Sequence, residues 1–196
     1  MTQEVQFFQA RNLTYVVIDN FYSPEELVAF DVEIKELLTK AEPPEKTDTA
    51  YDELVGLKKK AMGVWLDGEY KDRSQSALLT ANRKLFDPQL ADALSVHNVF
   101  FKHLSNSNKD GTLLNFYANG DFYKPHIDYS IFTAITMFSI GTFEGGGFAF
   151  PEHNVQIPFK ENRVLIFPGC VTHEAKAITA EPGNYRVTMA QFLNYG

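Results

Sequence analysis

The sequence predicts a mainly β protein with helices in its N-terminal part, that is, an α+β chain with a jelly-roll or barrel core. Two observations predict this class. Eight short segments rich in β-branched and aromatic residues follow Gly111, and the turns between them are rich in Gly, Asn and Pro. Signals for helix starts stand before residue 111, at Ser23 and Asp87.

The length and composition fit one folded domain. The chain has 196 residues, 44% of them hydrophobic, with 17 Phe and 9 Tyr. A disordered chain would lack this apolar content. We therefore predict a single domain over residues 1–196, in which 1–110 form a mostly helical support and 111–196 form the β core.

Charge and signal patterns exclude several classes of partner. The formal net charge is −7 and the longest basic run is Lys58-Lys59-Lys60, which disfavours binding to nucleic acid. No apolar run reaches the roughly 20 residues that a membrane span needs. Cys170 is the single cysteine, so no internal disulfide is expected, and the chain start lacks a basic-then-apolar signal sequence. We expect a cytoplasmic protein that binds neither nucleic acid nor membranes.

The N-terminal part begins with a strand and a capped helix. Residues 13–19 are β-branched and aromatic and predict a strand. Ser23-Pro24-Glu25-Glu26 supplies an N-cap, a Pro at the first helical position and a capping-box Glu. The helix is predicted over 24–38. Its inward face is predicted to carry Leu27, Phe30, Ile34 and either Leu37 or Leu38.

Residues 41–80 form the part of the chain with the weakest pattern. Pro43-Pro44 ends the helix, and charged residues then alternate with isolated apolar ones. We interpret this segment as a candidate lid over a pocket, with Trp65 either touching the substrate or serving as a packing anchor. Asp87-Pro88 then predicts a second helix over 88–104, whose His97 and His103 are read as ordinary helix residues.

The β core is predicted from eight alternating or apolar segments. They span residues 112–117, 121–128, 132–140, 146–150, 154–159, 163–167, 171–177 and 185–194.

Three side chains in this core are candidate metal ligands. His126 and Asp128 lie two apart on one strand and therefore point to the same face. His173 follows 45 residues after Asp128. Two imidazoles and one carboxylate form the facial triad of non-haem Fe(II) oxygenases, which leaves coordination positions open. His153, in a predicted turn, is the competing third ligand.

Arg186 is the candidate anion-binding residue. On the last strand it shares a face with Thr188 and Ala190. If that face lines the barrel, the guanidinium is buried, and a dicarboxylate ligand would supply its missing partner, with Thr188 adding a hydroxyl. The alternative places Arg186 at the rim, paired with Glu174 or Glu181.

These residues together resemble a known family, the prolyl-4-hydroxylase-like branch of the Fe(II)/2-oxoglutarate-dependent dioxygenases. The resemblance covers about residues 111–194, and the first strand and capped helix resemble the family's N-terminal support. The residues that carry it are Tyr117, Gly120, Tyr123, His126, Asp128, Gly145-Gly146, Arg163 to Phe167, His173 and Arg186.

The resemblance implies a double-stranded β-helix core, related to cupins, and a single catalytic domain. It implies Fe(II), 2-oxoglutarate and O2 as cofactors and cosubstrates, with ascorbate a candidate reductant. His126, Asp128 and His173 would bind iron, Arg186 the far carboxylate of 2-oxoglutarate, and Tyr117 would hydrogen-bond that cosubstrate. Tyr123 would face the primary substrate. No catalytic residue beyond the metal centre is implied.

The implied reaction is hydroxylation of an unactivated C–H bond with release of succinate and CO2. The substrate would be a prolyl residue of a peptide or protein, or a small molecule. Collagen-type members carry Lys at the position of Arg186 and oxygen-sensing members carry Arg, so the substrate group stays open. Asp128 favours hydroxylation, because halide-installing relatives replace this carboxylate. The rival classes are a cupin-like metalloenzyme that does not use 2-oxoglutarate and a non-catalytic β-sandwich binding module.

Overall fold

The computed structural model describes residues 2–10, 12–52 and 56–196. Two antiparallel sheets face each other in it, with helices packed on the outside of the larger sheet. In chain order the strands are β1 (Glu4–Ala10), β2 (Leu13–Asp19), β3 (Tyr51–Asp52), β4 (Gly56–Leu57), β5 (Met62–Trp65), β6 (Lys109–Tyr117), β7 (Tyr123–His126), β8 (Phe132–Ile140), β9 (Phe143–Gly145), β10 (Phe148–Phe150), β11 (Val155–Ile157), β12 (Arg163–Pro168), β13 (His173–Ala175), β14 (Ile178–Ala180) and β15 (Tyr185–Asn194).

The helices lie before the β core. They are α1 (Pro24–Leu38), α2 (Leu66–Glu69), α3 (Ala77–Ala81), α4 (Pro88–Ser95) and α5 (Lys102–Asn106). Short 3-10 helices span Pro44–Lys46, Arg73–Gln75, Asn82–Phe86, Val99–Phe101 and Pro151–His153. Among the described residues, no helix is long and apolar enough to cross a membrane.

The two sheets form the jelly-roll that the sequence predicted. The larger sheet has the strand order β1-β2-β12-β8-β15-β6-β5, and the smaller one has the order β11-β10-β13-β7. The pairs β14-β9 and β3-β4 form separate two-stranded sheets. Because side chains alternate along each strand, the larger sheet has an apolar layer on both faces.

The two apolar layers divide the residues of β15 between them. Val187 and Met189 belong to the outer layer, where the helices pack against the larger sheet. Ala190 belongs to the inner layer between the sheets, with Ile135 and Phe167. The face of β15 that carries Arg186, Thr188 and Ala190 is therefore the interior face, as the alternation predicted.

The first strand and the capped helix are confirmed at the predicted bounds. The Ser23 hydroxyl accepts a hydrogen bond from the Glu26 backbone N–H, and the Glu26 carboxylate accepts one from the Ser23 N–H, at 3.3 and 2.8 Å. This is the capping box, which satisfies two backbone donors at the helix start. The predicted inward face is also confirmed, since its residues pack in the outer layer.

The single helix predicted over 88–104 is wrong. The chain instead forms α4, a 3-10 turn at Val99–Phe101, and α5. Asn98 separates them, because its side chain accepts from the Phe100 N–H at 2.9 Å and donates to Thr14 at 3.1 Å. An Asn side chain competes with helical hydrogen bonds in this way and starts a new turn.

Three strands of the larger sheet lie before residue 66, so the N-terminal half is more than a helical support. β1 was not predicted, because the Phe7-Phe8 pair interrupts the polar–apolar alternation of EVQFFQA and the segment pairs only as an edge strand. β5, within the predicted lid segment, pairs with β6. Within 41–80 the cavity described below is bordered by Thr49; residues 53–55 lie outside the described residues.

Candidate metal centre

Two neighbouring strands of the smaller sheet carry the two candidate imidazole ligands. β7 ends at His126 and β13 begins at His173, and these two residues are direct cross-strand partners. Asp128 follows two residues after His126, and its backbone N–H donates to the Gly169 carbonyl at 2.9 Å. Strand pairing thus brings together side chains that are far apart in the sequence.

The ligand atoms of the three side chains converge. One donor atom each of His126, Asp128 and His173 lies within 4.8 Å of the others. The Asp128 oxygens are 3.7 Å from His126 Nε2 and 3.3 Å from His173 Nε2. Cis ligands on a six-coordinate metal with bonds of about 2.1 Å stand about 3 Å apart. The cluster can therefore close on one ion with small side-chain movements.

Both imidazoles are oriented by a backbone carbonyl. His126 Nδ1 lies 2.8 Å from the Lys124 oxygen, and His173 Nδ1 lies 2.8 Å from the Val171 oxygen. A carbonyl can only accept, so each Nδ1 carries the proton and each Nε2 presents its lone pair. Both Nε2 atoms are on the side of Asp128.

Burial and hydrogen bonding favour the ligand forms of His126 and Asp128. Burial lowers the pKa of His126, so its imidazole is neutral at physiological pH. Thr133 donates a hydrogen bond to the Asp128 carboxylate, which favours its ionised form. Neutral imidazoles and an ionised carboxylate are the forms that bind metal.

Aromatic rings fix the imidazoles from the sides that do not face Asp128. Tyr123 stacks on His126 with ring centroids 3.6 Å apart. Phe148 stacks on His173 at 5.3 Å, and Phe167 meets its edge at 4.7 Å. Such packing restricts ring rotation and keeps bulk water away from the donor atoms.

A cavity between the two sheets opens next to the three candidate ligands. Its other lining residues are Thr49, Leu113, Asn115, Tyr117, Tyr123, Ile135, Phe148, Ala175, Thr188, Ala190 and Phe192. Most of these are apolar, with a few polar groups, which is typical of a small-molecule site. Trp65 is not among the described residues that line it; its ring packs 5.7 Å from that of Phe192 and its indole N–H donates to the Thr47 carbonyl.

Arg186 lies buried behind Tyr117, with 2% of its surface exposed. Its guanidinium stacks 4.1 Å from the Tyr117 ring, and Nη1 donates to the carbonyls of Lys176 and Gly147 at 2.7 and 3.2 Å. Nε and Nη2 are buried and have no partner among the described residues. Glu174 instead pairs with Lys176. No carboxylate of the described residues pairs with Arg186, and its burial excludes the rim position.

A glycine run gives the guanidinium its space. Gly145, Gly146 and Gly147 all have positive φ, between 72° and 92°. A Cβ on Gly146 would lie 2.9 Å from Arg186 Nη1 and 2.7 Å from a methyl carbon of Ile178. A side chain there would displace the cation, and the backbone conformation itself favours glycine.

Two other sequence candidates lie outside the cluster. His153 ends the 3-10 helix Pro151–His153, and the group of metal-ligating side chains found in the described residues does not include it. Cys170 is exposed and lies in the turn in which the Val171 N–H donates to the Pro168 carbonyl at 3.0 Å.

Neither a protein-family model nor a curated protein matches the sequence. Solved structures do match it. The prolyl-4-hydroxylase of Pseudomonas putida aligns over 93% of this chain and 92% of its own, with a TM-score of 0.61 and 15% identity. The collagen prolyl hydroxylase of Paramecium bursaria Chlorella virus-1, in a complex with 2-oxoglutarate, covers 92% and 96%, with a TM-score of 0.54 and 16% identity. A non-haem α-ketoglutarate-dependent carbocyclase of nogalamycin biosynthesis covers 94% and 81%, with a TM-score of 0.60 and 13% identity.

The fold is that of the 2-oxoglutarate/Fe(II) oxygenases. The predicted fold class, a mainly β chain with a jelly-roll core and N-terminal helices, is therefore confirmed. The structural alignment with the two prolyl hydroxylases covers more than nine tenths of the chain, whereas the sequence resemblance covered about residues 111–194.

Sequence reasoning missed several residues of this oxygenase-fold site. Thr133 donates to Asp128 at 2.6 Å and holds that carboxylate in place. Phe148 was counted only as a strand residue, although it lines the cavity and stacks on His173. Asn115, on the interior face of β6, borders the cavity and contacts Lys59. Strand alternation could have placed Asn115 inside, whereas no local signal marks Lys59.

Proposed function

We propose that the protein is a non-haem Fe(II)- and 2-oxoglutarate-dependent oxygenase that hydroxylates an unactivated C–H bond. The observation that carries the proposal is the convergence of one donor atom each from His126, Asp128 and His173 within 4.8 Å, at one end of a mostly apolar cavity. The oxygenase fold of the matching structures supports the same conclusion.

The donor set fits ferrous iron. Two neutral imidazoles and one carboxylate on the same side of an ion leave positions open for a bidentate ligand and O2. The Nδ1 contacts to the Lys124 and Val171 carbonyls fix both tautomers, and Thr133 fixes the carboxylate. Such supporting contacts are a common feature of metal sites and tune ligand basicity.

The corner of the cavity next to Arg186 is suited to bind one carboxylate of a dicarboxylate ligand. Tyr117 and Thr188 line the cavity, and the guanidinium lies directly behind Tyr117 with Nε and Nη2 unpartnered among the described residues. A carboxylate that reaches this corner would receive charge-assisted hydrogen bonds and relieve a buried unpaired charge. In this proposal Arg186, Tyr117 and Thr188 bind the far carboxylate of 2-oxoglutarate.

The chemistry divides between the bound groups and the chain. When bound, ferrous iron and 2-oxoglutarate supply oxygen activation, with the keto acid converted to succinate and CO2. The chain holds the iron through three side chains, orients the cosubstrate through Arg186, and excludes water with the apolar lining. Exclusion of water protects a reactive centre from side reactions.

The primary substrate would approach the centre beside Tyr123. This ring covers one face of His126 and lines the cavity, so it is placed to contact the substrate. Trp65 would act from behind Phe192, by fixing that wall of the cavity. A prolyl residue of a peptide is the finer proposal, supported by the prolyl hydroxylases among the matching structures. The carbocyclase of the same fold supports a small molecule as the alternative substrate.

The test is a screen for succinate release. Purified protein with Fe(II), 2-oxoglutarate and ascorbate is offered prolyl peptides, free amino acids and other metabolites, and products are analysed by mass spectrometry for the gain of one oxygen. We expect substrate-dependent succinate formation. Absence of any effect of 2-oxoglutarate on the spectrum of the iron-loaded protein would instead favour a metalloenzyme that does not use it.

Two variants test whether activity depends on the cluster of His126, Asp128 and His173. Asp128→Ala removes the charged ligand, so we expect at least about a thousandfold loss of succinate formation with an unchanged circular dichroism spectrum. His153→Ala is the matched control, since His153 lies outside the cluster, and it should retain wild-type activity. Normal turnover by soluble Asp128→Ala protein would remove the assignment of the three ligands.

A further inference from the structure

Lys59 is a fully buried lysine beside the cavity, and the proposed reaction does not use it. None of its surface is exposed. Its ammonium donates to Asn115 Oδ1 at 2.5 Å and to Thr49 Oγ1 at 3.1 Å. Both partners line the cavity, so the charge lies directly behind the cavity wall.

The partners of Lys59 are neutral. No carboxylate of the described residues forms an ion pair with its ammonium, whereas Lys60 next to it pairs with Asp121. An ammonium has three donors, and hydrogen bonds to the described residues use two of them, with the Tyr123 ring centroid 5.4 Å from the nitrogen. Burial, together with repulsion from Lys58, lowers the pKa of Lys59 to about 7. If residue 59 had only a packing role, an apolar side chain would be more stable there, because a buried charge without a paired anion is unfavourable.

The backbone holds Lys59 in a fixed place. It bridges to Tyr123, and the flanking hydrogen bonds join the Lys60 N–H to the Phe122 carbonyl and the Lys124 N–H to the Lys58 carbonyl, at 2.9 and 2.8 Å. The segment thus extends the smaller sheet next to β7. Its side chain crosses the interior towards β6 on the larger sheet, where Asn115 lies.

A polar path leads from Lys59 into the cavity. Asn115 accepts from Lys59 and its amide donates to Thr188 Oγ1 at 3.4 Å. Thr188 stands two residues from Arg186 on the same strand face. The cavity is therefore flanked by two buried cations, Arg186 behind Tyr117 and Lys59 behind Asn115. In the proposed function, the charges of ferrous iron, Asp128, 2-oxoglutarate and Arg186 cancel, so that among the described residues the charge of Lys59 has no counter-charge in the cavity.

We propose that Lys59 is a second carboxylate-binding group of this cavity. The inference rests on the proposed function and deepens it. The bound carboxylate comes either from 2-oxoglutarate or from the primary substrate. In the second case the substrate is a small carboxylic acid, such as a free amino acid, rather than the interior of a peptide.

Calorimetric binding with Mn(II) in place of iron tests this without turnover. The first arm titrates 2-oxoglutarate into Mn(II)-loaded wild type, Lys59→Met, Lys59→Gln and Lys58→Met. The second arm titrates a panel of small carboxylic acids and their carboxamides into the same proteins, with and without 2-oxoglutarate. Lys58→Met is the matched control, because Lys58 is the neighbouring lysine and is only partly buried.

The expected result is a loss of about tenfold or more in affinity for a carboxylate in the Lys59 variants, with no loss in Lys58→Met, which removes only a repelling charge. Loss in the first arm assigns Lys59 to 2-oxoglutarate. If the Lys59 variants lose affinity for small carboxylic acids in the second arm, and all the proteins bind the carboxamides weakly, Lys59 is assigned to the carboxylate of the substrate. Unchanged affinity in both arms, or wild-type protein that prefers no carboxylate, overturns the inference. Failure of 2-oxoglutarate to bind the wild type overturns the proposed function, while the second arm without 2-oxoglutarate still decides the role of Lys59.

Discussion

At the level of single residues, the candidate centre is defined by hydrogen bonds that its ligands make away from the metal position. Each imidazole donates through Nδ1 to the carbonyl two residues before it, so His126 and His173 present the same nitrogen. Asp128 is held by Thr133, which in turn contacts Ser130 at 2.9 Å. The donor geometry is therefore set by local backbone as much as by the ligands themselves.

Arg186 gives the first prediction at this level. Arg186→Met keeps most of the side-chain volume against Tyr117 but removes the charge, so affinity for 2-oxoglutarate should fall about tenfold to a hundredfold while Mn(II) affinity changes little. Calorimetric titration measures both constants. Arg186→Lys is the control that keeps a positive charge, and it should lose less. Equal 2-oxoglutarate affinity in Arg186→Met would place the carboxylate elsewhere.

Lys59 gives a prediction about stability and pH. Burial lowers its pKa to about 7 in the folded protein, whereas a lysine in the unfolded chain titrates near 10.5. Between these values the unfolded state binds more protons, so wild-type stability gains from this group as pH rises. Lys59→Met lacks that gain. Urea unfolding at pH 7 and pH 10 should show that the stability of the variant, relative to wild type, falls with pH; a constant difference would contradict the shifted pKa.

At the level of elements, α1 depends on its first turn. Ser23→Ala removes the hydroxyl that accepts the Glu26 N–H, so we expect a loss of about 1 kcal/mol in the free energy of unfolding without a change in activity. Chemical denaturation measures it. Ser105→Ala, an exposed position in α5, is the control and should be close to neutral. A neutral Ser23→Ala would show that tertiary packing alone fixes the start of α1.

The elements that could be predicted from sequence are those with strong local signals. α1 has a complete capping box, and β8 and β15 are long and apolar, so their bounds match the prediction. The segment 88–104 carried a helix-start signal too, yet Asn98 breaks it through a contact with Thr14, which lies 84 residues away. β1 could not be predicted, because its sequence lacks a regular alternation and only pairing with β2 makes it a strand.

The same distinction holds for the site. His126, Asp128 and His173 could be selected because the first two stand two residues apart and the set matches a family pattern, although β7 ends at His126 and Asp128 lies just beyond it. Lys59 was not selected, because its importance lies in a contact with Asn115, 56 residues away, and in the lack of a paired carboxylate among the described residues. Burial of this kind is a property of the folded chain and has no sequence signature.

At the level of the whole molecule, the site joins the two sheets. The candidate ligands lie on the smaller sheet, while Arg186, Thr188 and Tyr117 lie on the larger one. The helices pack on the far side of the larger sheet and leave the cavity free. A ligand that contacts both sheets should therefore stabilise the fold as a unit.

Metal binding gives the prediction at this scale. An ion that binds only the native state raises stability by mass action, by about 2.7 kcal/mol at a hundredfold excess over its Kd. Addition of Mn(II) should therefore raise Tm by several degrees in wild type and in His153→Ala. Asp128→Ala should show no such rise. A wild-type Tm that does not change on addition of Mn(II), or an equal rise in Asp128→Ala, would contradict the proposed metal site.

The direct pairing of His126 with His173 has a consequence for how the chain attains its native sheet. A slip of β7 against β13 by a single residue would turn one imidazole to the opposite face and separate the two nitrogens. An ion present during refolding would then be retained only by molecules in which this pair of strands had aligned correctly. Metal binding would therefore select the correct register of β7 and β13. The amount of metal retained after refolding would measure the fraction of molecules with that register.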